Sequence, residues 1–399
     1  MKNIRYIAGI IGVLTFVLSV GCVEKFEANI GDVVTEGLVI EGDIISDSTV
    51  VFKLSKTLPL TATKENEDLF DNYLVVGADL AVKGSDGSSW SGFSWMSGEY
   101  IVPIGTLQPD VEYHLEIQYG GDTYQSEPQK PLPCSGIDKM TFSQPNMLGP
   151  VSIRLDSKES DLSETKYYLW HFEEDWEVHA LFATTDLYNL KLDAIVHYDY
   201  PPVAQGWCNS KTDKILLGTT ESTLENRMVG KLIHSISHTD YRLSVLYSIR
   251  VQQRNLTRKE YEYYQVRAKL NNEMGGLFTP QPSELPTNET CSNPKRRVIG
   301  YVGCNMGVAY SQLYIPRDKI NYQEDFKCDV GQEPSGDYEA KYVAGFQIGS
   351  MMRAGSEIFI EWARTKCVDV TSLGADPMGR PQWWPNPYLY YPYGQGPDF

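Results

Sequence analysis

Between Tyr168 and Phe182 the sequence places its densest set of groups able to do acid–base or metal chemistry. His171, Glu173, Asp175, Glu177 and His179 fall on alternate positions, and a β-strand turns alternate residues to one face. The positions between them hold Tyr168, Trp170, Phe172, Trp176, Val178 and Ala180, with Glu174 as the one interruption. The spacing predicts an aromatic face packed on a core and an acidic, histidine-bearing face turned outward. Carboxylates so placed could move protons or attract a cation, but a plain solvated sheet face has the same composition. His234 and His238 stand four apart, roughly 13 Å along a strand, too far to share one ion. No H-E-x-x-H, nucleophile elbow, P-loop, G-x-G-x-x-G or EF-hand loop occurs. No catalytic residue, metal site or cofactor is therefore expected.

A second candidate lies in the last 33 residues, where six prolines are interleaved with seven aromatics. Trp383, Trp384, Tyr388, Tyr390, Tyr391 and Tyr393 supply rigid contact area at low entropic cost. They are candidates for contact with a ligand or a partner protein. The alternative is an internal strap across the protein's own sheets. Proline at this density rules out a helix or a central strand.

The net charge is −17, and no Lys/Arg cluster exceeds Lys295-Arg296-Arg297. Nucleic acid, which needs a basic face, is not an expected partner. Lys2 and Arg5 precede an apolar run from Ile7 to Val20 that is short for a spanning helix. It ends Leu18-Ser19-Val20-Gly21-Cys22, which resembles a bacterial lipobox with Cys22 as the lipidated first residue. Such an anchor holds a soluble body at a membrane surface. Six further cysteines, Cys134, Cys208, Cys291, Cys304, Cys328 and Cys367, are an even number in an exported chain and suggest disulfides. Nearness in sequence favours Cys291–Cys304 and Cys328–Cys367, though six cysteines allow many pairings.

Short β-strands account for most of the chain. From Gly37 to Gln129 they alternate with turns, and Leu107-Gln108-Pro109-Asp110-Val111-Glu112-Tyr113 precedes an alternating strand. That spacing resembles the tyrosine corner of immunoglobulin-like and fibronectin type III sandwiches, in which the Tyr113 hydroxyl would bond to backbone upstream. Pro128, Pro131 and Pro133 read as a stiff linker. Further on, Thr257 and Glu260 stand at capping-box spacing. Tyr263, Val266, Leu270 and Met274 then form an apolar stripe, and Gly275-Gly276 supplies a stop. A helix over about 258–274 follows. The expected organisation is a signal peptide (1–21), a tether (22–36), an immunoglobulin-like sandwich (37–133), a larger β-rich domain with one capped helix (134–366), and the aromatic tail (367–399).

Together the lipobox, Gly37-Leu38-Val39-Ile40-Glu41-Gly42, Leu256-Thr257 with Tyr261, Tyr263 and Tyr264, Gly275-Gly276-Leu277-Phe278-Thr279-Pro280-Gln281-Pro282, Val298-Ile299-Gly300-Tyr301-Val302-Gly303 and Cys367-Val368-Asp369-Val370 resemble the Bacteroidota lipoproteins catalogued as domain of unknown function 4249. Where members of that family commonly read Gly-Asn-Ile, this chain has Thr287-Asn288-Glu289-Thr290. The resemblance implies an outer-membrane location and genetic company with TonB-dependent transporters, and it carries no catalytic residues. The expectation is a non-enzymatic accessory or ligand-capture partner of such a transporter, with a glycan or peptide as ligand. The alternatives are a surface hydrolase using the face around Glu173, and a structural or adhesive surface protein.

Overall fold

Alternating apolar positions dictate the architecture, which is mainly β. The computed structural model describes residues 37–57, 73–160, 165–212, 214–273, 285–324, 328, 330–334, 337–355 and 357–385. The expected signal peptide, Cys22 and the tether lie outside the described residues, as do Gly275, Gly276, Tyr388, Tyr390, Tyr391 and Tyr393. Among the described residues no helix is long and apolar enough to cross a membrane.

Two five-stranded sheets share the first core. One orders Val298–Gly300, Leu38–Glu41, Ser48–Lys56, Glu99–Ile104 and Phe93–Met96; the other orders Glu289–Cys291, Asp122–Ser126, Tyr113–Tyr119, Asp79–Gly84 and Ser89–Ser91. Val50, Phe52 and Leu54 alternate inward from the first sheet, and Tyr113, Leu115 and Ile117 from the second. Each such burial stabilises by about 1.5–3 kcal/mol. The Tyr113 hydroxyl accepts from the Gln108 amide at 2.9 Å, the backbone bond the L-x-P-x-x-x-Y spacing predicts.

The sandwich extends past the expected segment 37–133. Residues 289–305 return to it, with Val298–Gly300 parallel to Leu38–Ile40 and Cys304-Asn305 parallel to Ile44-Ile45. Gly300 has φ +147°, and a Cβ there would stand 2.2 Å from the Ile40 carbonyl oxygen, so this parallel contact requires glycine. The proline-rich stretch read as a linker is stitched down as well: Tyr113 and Gln129 exchange backbone bonds, and Leu132 bonds to Cys304 and Met306.

In the second body, Gln205–Lys211, Tyr167–His179, Leu246–Leu256 and Ala309–Pro316 form one sheet, and Ile137–Ser143, Val151–Ser157 and Lys231–Ile236 form another. The aromatic face of Tyr167–His179 meets Val151, Ile153, Leu155, Ile233 and Ile236 in a common core. Long strand Leu246–Leu256 runs into the helix Arg258–Glu273, where the Glu260 amide donates to Thr257 Oγ1 at 3.2 Å. A third, smaller sheet of Val330–Pro334, Glu357–Arg364 and Phe346–Ala354 packs Ile348, Ile360 and Trp362 on Tyr188. Its neighbouring short helix, Tyr338–Val343, capped by Asp337, turns Tyr338 and Tyr342, four apart, onto the same core.

Cys328 and Cys367 are bonded, with Cα atoms 6.1 Å apart. The expected Cys291–Cys304 bond is absent; both are free thiols, as are Cys134 and Cys208. Cys291 pairs with Tyr124 at the edge of one sheet, whereas Cys304 pairs with Ile44 in another. Separate sheets hold two residues that are close in sequence.

Candidate functional site

Strand register builds the outer face of the second body. Across four strands, Lys211, Glu173, Arg250 and Gln312 form one row, Asn209, Asp175, Ser248 and Tyr314 the next, and His171, Gln252 and Tyr310 flank the first row on its other side. From His171 to Asp175 the odd-numbered face of Tyr167–His179 thus lies outward, opposite the aromatic core, as its period of two requires, while Tyr167 and Leu169 at one end and Glu177 at the other are buried. His171, Phe172, Glu173, Lys211, Thr212, Arg250, Gln252 and Tyr310 line a cleft of about 730 Å³.

Glu173 is fixed by two cations. Lys211 Nζ lies 2.8 Å from Oε1, and Arg250 contacts Oε2. Burial pushes its carboxyl up, but hydrogen bonds from Lys211 and Arg250 outweigh that and hold it below the usual range. Burial lowers His171, with the Arg254 charge adding to the effect, so the imidazole is neutral at neutral pH. Asp175 is raised by burial, against the pull of Arg250.

The other end of the face is closed. Trp384 is 4% exposed, and its indole N–H donates to Glu177 Oε2 at 2.8 Å. Glu177 also contacts His179 at 2.7 Å and accepts from Gln205. Burial raises Glu177, and the bonds from His179, Trp384 and Gln205 bring it below the ordinary value. Asp376 and Trp207 exchange backbone bonds, so the start of the aromatic tail is sewn along the Gln205–Lys211 edge. Trp384 is therefore a strap. Trp383 is different: it is 37% exposed, its carbonyl accepts from the Tyr314 hydroxyl, and the Arg250 guanidinium stands 6.0 Å from its ring.

Of the three carboxylates on this face, Glu173 is held ionised by its two cations, Glu177 is covered by Trp384, and Asp175 keeps a raised carboxyl. The face is well suited to holding a polar ligand: donors from Lys211, Arg250 and Gln252, a neutral imidazole and the flat face of Tyr310 surround one cleft, and Trp383 stands close by, against Arg250. Tyr310 is 61% exposed. Among the described residues no group of His, Cys, Asp and Glu converges to hold a metal ion. Sequence reading finds Glu173 and Trp383 but misses Lys211, Arg250, Gln252 and Tyr310. Alternation within their own strands carries the signal, but which strands are neighbours does not show.

Glu174, the interruption in the aromatic face, is buried against Arg242 at 2.7 Å, the Tyr247 hydroxyl at 2.6 Å and His234 Nε2 at 3.3 Å. Burial raises it, but His234, Tyr247 and Arg242 together hold it below its ordinary value. His234 is thus a partner of this buried acid. At the junction of the two bodies Arg254 meets Asp43 at 3.0 Å, Glu260 at 2.7 Å, the Tyr264 hydroxyl at 3.0 Å and Asn305 at 3.1 Å. In each cluster the charges are spent on one another, with only Asp43 in one and Arg242 in the other reaching partly to solvent.

A family model described as "Domain of unknown function (DUF4249)" matches residues 23–306, most of the chain. No curated protein matches. Among solved structures the chain is similar to the adhesin InvE of Yersinia pseudotuberculosis, at 16% identity and TM-score 0.16, with 54% of each chain covered. It is similar also to a DUF4785 family protein of Legionella pneumophila, at 10% identity and TM-score 0.17, over 54% of this chain and 51% of that one. The chain thus spans about half the length of each, and at these scores neither likeness bears on fold or function.

Proposed function

The chain belongs to the family of the domain of unknown function DUF4249, and from that premise we propose that it is a lipid-anchored outer-membrane protein that captures a hydroxyl-rich ligand, a glycan in the first instance, for a TonB-dependent transporter. The observation that carries the ligand part is the open cleft beside Glu173, in which exposed Tyr310 stands by the charge-paired row of Lys211, Glu173 and Arg250, with the half-exposed Trp383 ring next to Arg250. Sugars present apolar ring faces and rings of hydroxyls, and such a surface meets both. Anchoring would come from Cys22, and the acidic body would stand in the aqueous phase beside the transporter. We read the first sandwich as immunoglobulin-like, a reading supported by the Tyr113 corner.

Affinity purification from solubilised outer membrane, followed by binding of the recovered glycans to purified protein, tests this. A TonB-dependent barrel should co-purify, and Trp383→Ala with Tyr310→Ala should weaken glycan binding by tenfold or more, roughly the loss of one or two stacking contacts. Repeated absence of the barrel, or unchanged binding by the double variant, would sink the proposal.

A further inference from the structure

A second cavity of about 390 Å³ lies where the terminal strands of the first sandwich's two sheets, Glu289–Cys291 and Val298–Gly300, come together. Leu285, Pro294, Val298 and Ile299 give it an apolar wall, Thr287 and Thr290 add hydroxyls, and Arg296 and Arg297 bring two guanidinium groups. With Lys295, exposed on the turn between Pro294 and Arg296, these arginines form the longest basic run in a chain of net charge −17. An acidic body thus keeps its densest positive charge beside an apolar hollow.

The turn holds the cations in place. The Asn293 carbonyl accepts from the Arg296 amide at 3.0 Å, and the Asn293 side chain accepts from the Lys295 amide at 3.1 Å. Arg296 Nε stands 3.4 Å from Asp122 Oδ2, with the two side chains 40% and 18% exposed. An ion pair so open to water is worth little, so an anion in the cavity can compete with Asp122 for the guanidinium. Glu289 offers no such competition. Its carboxylate oxygens are buried and without a hydrogen-bond partner among the described residues, and burial pushes the carboxyl up to about 8, so at neutral pH it carries a proton. Thr287 Oγ1 accepts from the Glu289 amide at 3.1 Å, which leaves its own hydrogen to donate.

We propose that this cavity binds a small amphiphilic anion, a carboxylate on a short apolar body, with Arg296 receiving the charge. The planar fork of a guanidinium matches the two oxygens of a carboxylate, and the half-buried side chains of Leu285, Val298 and Ile299 take the apolar body. The volume stands at the low end of the range of about 300–1,000 Å³ common for small-molecule sites, which favours a short chain. This site belongs to the first sandwich and is distinct from the cleft beside Glu173 on the second body.

The test is calorimetric titration of the full chain with sodium hexanoate at pH 7. Sodium acetate, hexan-1-ol and n-hexylammonium chloride serve as the anion without a body, the body without a charge and the opposite charge. Hexanoate should bind saturably, and each of the three controls at least roughly tenfold more weakly, the loss of one charge-assisted contact or of the apolar burial. Arg296→Gln should weaken hexanoate by roughly tenfold or more. Asp122→Asn removes the competitor for the guanidinium and should tighten hexanoate roughly two- to fivefold, a gain that damage to the fold would not produce. The proposal is overturned if folded wild-type protein shows no saturable hexanoate binding, if hexan-1-ol or hexylammonium binds as tightly as hexanoate, if folded Arg296→Gln binds as well as wild type, or if Asp122→Asn binds no more tightly.

Discussion

Arg254 Nη1 and Glu260 Oε1 lie 2.7 Å apart with side-chain exposures of 4% and 2%. The pair joins the last residues of the long strand Leu246–Leu256 to the first turn of the helix Arg258–Glu273. Asp43, from the first sandwich, completes it at 3.0 Å from the same guanidinium. Glu260 is pushed up to about 7 by burial, against the pull of Arg254. Two carboxylates thus share one cation at the junction of the two bodies.

Removing that cation leaves both acids buried without compensation. Arg254→Met is expected to cost about 3–5 kcal/mol, the range for breaking one side of a buried pair. Urea unfolding checks this. A loss under about 1 kcal/mol would mean that the carboxylates escape to water.

Gly303 stands against the same network. A Cβ there would lie 2.6 Å from Glu260 Oε1, 2.8 Å from Arg254 Nη1 and 3.0 Å from Asp43 Oδ1. Its amide also donates to Asp43 at 3.1 Å. Gly303→Ala should therefore destabilise by about 1–3 kcal/mol, as overpacking does. Gly307→Ala, where a Cβ meets nothing within 4 Å, should change the stability read from urea unfolding by less than about 0.5 kcal/mol.

Glu289 gives a pH dependence of defined sign. Its folded value, about 8, lies above the ordinary 4.5. The folded state then holds the proton more tightly than the unfolded one. Its contribution is fully present below about pH 4.5 and is lost as pH rises through about 8. Glu289→Leu should accordingly be more stable than wild type, by a margin that widens from pH 5 to pH 8.5. Thermal melts across that window measure it, and a constant gap would show that the carboxyl is solvated.

Local periodicity is legible in the residues themselves. The even positions from Tyr168 to Val178 specify a buried aromatic face, and they are buried. Thr257 and Glu260 mark the helix start, and Tyr113 marks the corner. Each of these patterns is carried by residues within about ten positions, and a period of two or 3.6 needs no partner to be recognised.

Glu174 shows where that legibility ends. As an interruption it is visible, but Arg242, Tyr247 and His234, its partners, come from 60 or more positions away. The same holds for Lys211 and Arg250 beside Glu173, for the return of 289–305 into the first sandwich, and for the choice of Cys328–Cys367 over Cys291–Cys304.

The residues alone determined which faces are apolar, where the helix begins and that the chain is built of strands, because backbone geometry turns spacing directly into direction. Tertiary structure decided which strands became neighbours. Register across a sheet is set by packing of both faces and by backbone pairing between distant segments, and only that register brought Glu173, Lys211, Arg250 and Tyr310 around one cleft while burying the Glu289 carboxyl without a partner among the described residues.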